Sequence, residues 1–260
     1  MKLRVAGVSV IGSGMADWGQ AQRILRGAEA WDSETLNIPA PTILSANERR
    51  RVSKLVRLAL GAAEAACDSA GLERDTMDCV FTSALGDGTV TQAMMNALRQ
   101  PGRSVSPTHF HNSVHNAMAG YWSIGSHNHQ ASTSLAGGQS SFGAALLKAA
   151  LSLPHSGRPL LLVAADHPLP PPLSETRPTR GAFAVGLVLT PDAEGACGAL
   201  LDIAGGATGP VSKTGNTNLQ DLWKTCPAAR SLPLLEALLE PKPVILEAGT
   251  DYFLSIKVTP

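Results

Sequence analysis

The chain of 260 residues has little charge, few aromatics and no long apolar run. Charged residues make up 16%, against about a quarter in an ordinary soluble domain. That deficit predicts a surface partly covered by a partner. Lys+Arg and Asp+Glu number 21 each, so the formal charge is zero. A neutral chain offers no global field to nucleic acid or an anionic membrane. No apolar run approaches the ~20 residues of a spanning helix. Met1 to Val10 alternates rather than forming a solid apolar block, so it does not read as a signal peptide. Cys67, Cys79, Cys197 and Cys226 have no C-x-x-C spacing and read as free cytosolic thiols. The expectation is a soluble cytoplasmic protein.

Periodicity supplies the elements. Residues 3–11 read as a buried strand ended by Gly12-Ser13-Gly14. Those glycines do not complete a dinucleotide motif. Ser45 and Glu48 fit a capping box, and Val52, Leu55, Val56, Ala59, Leu60, Ala63, Cys67 and Ala70 continue at helical spacing to a stop at Gly71. The other face carries Arg49, Arg50, Arg51, Lys54 and Arg57. It reads as a solvated face or as a patch for an acidic partner such as an acyl carrier protein. Strands are expected at 78–84, 129–135, 159–165, 182–190, 198–204, 243–248 and 252–258. Helices are expected at 89–99, 140–151 and 231–239. Strands alternating with helices, then strands in succession, predict α/β layers around a mixed sheet.

Two segments could carry chemistry. His109, His111, His115, His127 and His129 crowd one window, and H-x-H with a third histidine could offer three zinc ligands. No cysteine or carboxylate sits close by, and Asn112 and Asn116 suit local hydrogen bonding, so no metal is expected. The turn from Ser132 to Ser141 joins a strand to a helix, where a nucleophile gains from the helix N-terminus. It misses the G-x-S-x-G spacing by one residue. Ser134 or Ser140, with His111 or His115 as base, would make a free-standing acyltransferase or hydrolase. Small residues packing a helix on a sheet explain the same turn.

The stretches Leu44 to Arg51, Ser83 to Gly88, Ser106 to Asn116 and Gly120-Tyr121-Trp122 resemble one group. That group is the chain-length-factor type of β-ketoacyl-synthase-like N-terminal domain, from aryl polyene and xanthomonadin-type pathways. The resemblance covers about residues 1–205 and returns at the C-terminal strands that end the divergent segment 206–260; residues 206–240 match no motif. It implies a single ketosynthase-like domain: a layered thiolase-like α/β half-fold, truncated relative to a full ketosynthase. Thr133, Ser134 and Leu135 match the segment whose cysteine takes the acyl chain in ketosynthases. Leu135, flanked by Ser134 and Ala136, has no nucleophile. No H-G-T or N-F-G-F segment follows residue 205. The resemblance therefore implies no catalytic residue and no cofactor. It implies a heterodimer with an active β-ketoacyl synthase, and an acyl carrier protein reached through the complex. The strand from about His129 to Thr133 would pair with the partner. Met94, Met95, Leu98, His109, Phe110, His111, Asn112, His115 and Asn116 would face the partner or its acyl tunnel. Asp166 stands near a position where ketosynthases often carry Glu.

Overall fold

The segments that lack a polar face become the centre of one sheet. A computed structural model describes residues 1–193 and 195–260. Its strands are β1 (Lys2–Gly12), β2 (Asp78–Thr82), β3 (Ser132–Leu135), β4 (Leu160–Asp166), β5 (Phe183–Pro191), β6 (Ala199–Gly205), β7 (Val244–Gly249) and β8 (Tyr252–Thr259). Its longer helices and helical turns are α1 (Trp18–Leu25), α2 (Ala46–Arg49), α3 (Lys54–Ala70), α4 (Gly88–Arg99), α5 (Pro107–Asn112), α6 (Ala117–Ser126), α7 (Ser141–Ser156), α8 (Leu173–Thr176), α9 (Gln220–Thr225) and α10 (Leu232–Leu239). The sheet order is β3-β2-β4-β5-β1-β6-β8-β7. Every residue of β2 and β4 is buried, as expected of strands covered on both faces.

Strand directions reveal a partial repetition. β2 runs parallel to β3 and β4, whereas β5 is antiparallel to both β4 and β1. β6, β8 and β7 repeat the arrangement of β1, β5 and β4, with the middle strand antiparallel to its neighbours. The two sets join where Lys2–Val5 of β1 pairs antiparallel with Ala199–Asp202 of β6. The connection from β5 to β6 crosses β1. Arg4 secures it, donating to Asp192 at 2.9 Å and to the Gly198 carbonyl at 3.0 Å.

Two apolar clusters lie on opposite faces of the sheet. One joins α3 and α6 to the sheet through Leu58, Phe81 and Trp122. The other holds α7, α9 and α10, with Phe142, Trp223 and Leu235. The helix expected from Ser45 is interrupted. The Ser45–Glu48 box is present, but it caps only α2. Ser53 then caps α3, its hydroxyl accepting from Val56 N at 3.2 Å. Val52, only 6% exposed, is buried between the two helices. A second cap eight residues after the first restarts the helix.

β3 also begins later than expected. Asn128 holds the preceding turn, donating to the Arg74 and Met77 carbonyls and accepting from Gln130 N. Residues 129–131 therefore lie outside the strand. The loop from Pro168 to Pro172 runs into the short helix α8, with Pro172 at its N-cap.

Gly143 lets α7 approach β7. A Cβ at that position would sit 2.1 Å from the Glu247 carbonyl oxygen. Gly143→Ala gains up to about 1 kcal/mol of helix propensity. Backbone overlap outweighs that gain, so a net loss of about 3 kcal/mol is expected in urea unfolding. An unchanged midpoint would show that α7 can shift freely.

Candidate functional site

The carboxyl ends of β3, β2 and β4 lie side by side, the part of an α/β sheet where ligand sites form. β3 ends at Leu135, paired with Thr82 at the end of β2. The chain then turns through Gly138, whose φ of +56° favours glycine, into α7. Ser141 fixes this turn. Its hydroxyl accepts from Gly137 N at 2.9 Å and donates to the Gly138 carbonyl at 2.7 Å. This is the strand-turn-helix geometry that presents a nucleophile to a helix N-terminus. The side chain presented here is a hydrocarbon, and Leu135 packs against the main apolar cluster.

Asp166, at the end of β4, organises the floor. It is buried, and four donors converge on it. Oδ1 accepts from Ser83 Oγ at 2.9 Å, Ala84 N at 3.0 Å and Leu85 N at 3.2 Å. Oδ2 accepts from Ala228 N at 2.9 Å. One carboxylate thus ties the exit of β2, the end of β4 and the helical turn Pro227–Ser231. Burial pushes its carboxyl up to about 6, against the pull of these donors toward the charged form. Nothing in the composition marks this role. The available signal is an acid closing an otherwise apolar strand, Leu160 to Asp166.

The serine and histidine candidates separate. Neither Ser134 nor Ser140 is hydrogen-bonded to a histidine among the described residues, and His115 Nε2 instead meets the Ser83 carbonyl at 3.0 Å. His111 stacks edge-on to Tyr121, with ring centroids 5.3 Å apart. Among the described residues, no group of three or more His, Cys, Asp or Glu side chains could hold a metal ion. Burial pushes the Cys67 and Cys79 thiols up to about 12 and raises Cys226 as well, so these three stay protonated. No helix among the described residues is long and apolar enough to cross a membrane.

The expected partner face divides by exposure. Met95 (59%), Leu98 (52%), Phe110 (64%) and Val114 (45%) stand out of the surface on α4, α5 and the turn after them. His111, His115 and Asn116 are exposed, while Met94 and His109 are half-buried. Asn112 departs from expectation. It is 4% exposed, and its amide donates to the Arg51 and Thr108 carbonyls at 3.0 and 2.9 Å. Its NH2 group anchors α5 from a buried position rather than standing on the exposed face. β3 is the outermost strand beyond β2, with no strand on its other edge among the described residues.

A family model for the β-ketoacyl synthase N-terminal domain matches residues 18–245. The chain belongs to that family. The match runs through the segment after residue 205, where the eye finds no motif. Solved structures of ketosynthases and their assemblies share the fold of this synthase-family chain. One is a ketosynthase in complex with its chain length factor from Xenorhabdus doucetiae, at 21% identity, with 99% of each chain covered and a TM-score of 0.74. Another is a type II polyketide-synthase acyl-carrier protein in complex with its ketosynthase, at 13% identity, 99% of each chain and 0.73. A third is the ishigamide ketosynthase/chain length factor, at 14%, 99% of each chain and 0.69. These likenesses establish a thiolase-like α/β fold for this family member. No curated protein matches the sequence.

Proposed function

We propose that this chain is the non-catalytic, chain-length-factor-type partner of an active β-ketoacyl synthase, and that it shapes the synthase's acyl tunnel in polyene or fatty-acid-like biosynthesis. The observation that carries the reading is Leu135 at the end of β3, where the family resemblance puts the nucleophile. Leucine can neither attack a thioester nor give up a proton. The histidines nearby serve the backbone or an aromatic ring rather than a nucleophile. End-to-end coverage of chains from two ketosynthase/chain length factor structures supports the same reading.

Partner contacts are assigned to Met94, Met95, Leu98, His109, Phe110, His111, His115 and Asn116, with the open edge of β3 beside them. Met95, Leu98, Phe110 and Val114 leave an apolar surface that water does not favour. Flexible methionines suit a wall that meets a long acyl chain. Pairing with the synthase covers that surface and accounts for the low charge content.

The test is co-expression with a β-ketoacyl synthase encoded beside it, followed by size-exclusion chromatography and product-length analysis. A stable one-to-one complex whose products differ in length from those of the synthase alone is expected. Condensation by the lone chain, or its labelling by a fluorophosphonate at Ser134 or Ser140, would overturn the reading. Leu135→Cys in the lone chain is expected to remain inactive, because no general base stands at the turn.

A further inference from the structure

The helix α4 presents Met95 and Leu98 to the surface, yet little holds it along its length. Its only buried residues are Gly88 and Val90, both in the first turn. A helix with so small a buried face takes its direction from its base.

That base is a clamp built on Asp166. Residues 83–87 lead into α4. Asp166 Oδ1 accepts from three successive groups of this loop, the Ser83 hydroxyl and the Ala84 and Leu85 N–H groups. Ser83 Oγ in turn accepts from Gly86 N at 3.0 Å, and Asp87 caps the helix by accepting from Val90 N at 2.9 Å. The chain leaving Asp166 returns to the same helix. Leu169 packs so closely on Gly88 that a Cβ there would overlap it, and the Gln92 amide donates to the Pro171 carbonyl. One residue therefore fixes both supports of α4, the first through its side chain and the second through its backbone. The Ser83 carbonyl also meets His115, on the turn beyond α5.

The geometry has leverage. A helix of twelve residues is about 18 Å long, so a tilt of about 10° at its base carries the far end about 3 Å. That displacement is on the scale of the two-carbon unit a ketosynthase adds in each cycle.

We infer that Asp166 is a positioning residue for product length: through Ser83 and its neighbours it fixes the direction of α4, and with it the wall of Met94 and Met95 that the acyl chain meets. The link to length rests on the proposed pairing with a synthase; the clamp on α4 does not.

The test is Ser83→Ala, which removes one strut of the clamp and leaves Asp166 its bonds to Ala84, Leu85 and Ala228. In the lone chain, hydrogen exchange of the α4 amides is expected to quicken about fivefold. In the co-purified pair, the product distribution is expected to move by at least one two-carbon step, with the affinity for the synthase unchanged. Asp166→Asn is expected to move the products further in the same direction; if it does not fold, Ser83→Ala carries the test alone. Ser53→Ala removes the α3 cap at a similar cost in stability and is expected to alter neither readout. Unchanged α4 exchange in Ser83→Ala overturns the clamp. Faster exchange with unchanged products in an intact pair overturns the positioning role, as does an equal shift in Ser53→Ala. Faster exchange in a chain that pairs with no synthase leaves the clamp standing and removes the pairing instead.

Discussion

Asp166→Asn is expected to destabilise the chain by about 3 kcal/mol, and Asp166→Leu by about 4–5 kcal/mol, in urea unfolding. The carboxylate accepts from Ser83, Ala84 and Leu85 through one oxygen and from Ala228 through the other. An amide has a single oxygen. If that oxygen faces the first three donors, its NH2 group meets the Ala228 N–H, and two donors are opposed in a buried site. Leucine leaves all four without an acceptor, each orphan costing about 1–3 kcal/mol before relaxation. A pH series separates charge from shape. The folded carboxyl is raised above its ordinary value, so the native state binds the extra proton between about pH 4 and about pH 6. The stability contributed by that proton is complete below the ordinary carboxylate range and is lost as pH rises through about 6. The advantage of wild type over Asp166→Asn is therefore expected to shrink from pH 4 to pH 7. Parallel curves would mean that Asp166 titrates like an exposed carboxylate.

Met95→Asp combined with Phe110→Asp is expected to weaken the complex with the synthase a hundredfold or more. Each anchor of a well-packed interface is worth about 2 kcal/mol or more, and about 1.4 kcal/mol is tenfold in affinity. Both side chains are more than half exposed in the lone chain, so its own unfolding midpoint should barely move. Analytical ultracentrifugation of the mixture reads the first effect, and thermal unfolding of the lone chain reads the second. A complex of unchanged affinity would place the interface elsewhere. The same pair of substitutions should raise the solubility of the lone chain, because it breaks up an exposed apolar patch.

Much of the sheet was legible along the chain because its central strands carry their own signal. Leu160 to Asp166 and Phe183 to Pro191 are apolar on both faces, and such runs have few alternatives to a buried strand. Their neighbours were not legible. Strand order depends on contacts far apart in sequence, so the antiparallel pairing of β1 with β6 and the repetition of β1-β5-β4 by β6-β8-β7 leave no trace in local pattern. The interruption after α2 was masked because apolar spacing runs across it; the second cap at Ser53 was the informative residue. At the site, Leu135 could be placed by resemblance alone. The role of Asp166 could not, since Ala228, one of its four donors, lies 62 residues away. Asn112 came with its segment by resemblance, and its burial depends on the Arg51 carbonyl, 61 residues away.

The two ends of the sheet differ in a way that sets a number. At β7, Ser212 occupies the outer edge, with its N–H on the Ile245 carbonyl and its hydroxyl on the Ile245 N–H. At β3 the outer edge has no such plug among the described residues. A subunit with two open edges can string into a ribbon without limit. A subunit with one accepts a single neighbour and stops. Under the proposed pairing through β3, one free edge accommodates one neighbour, so a pair of chains rather than a filament is the expected assembly.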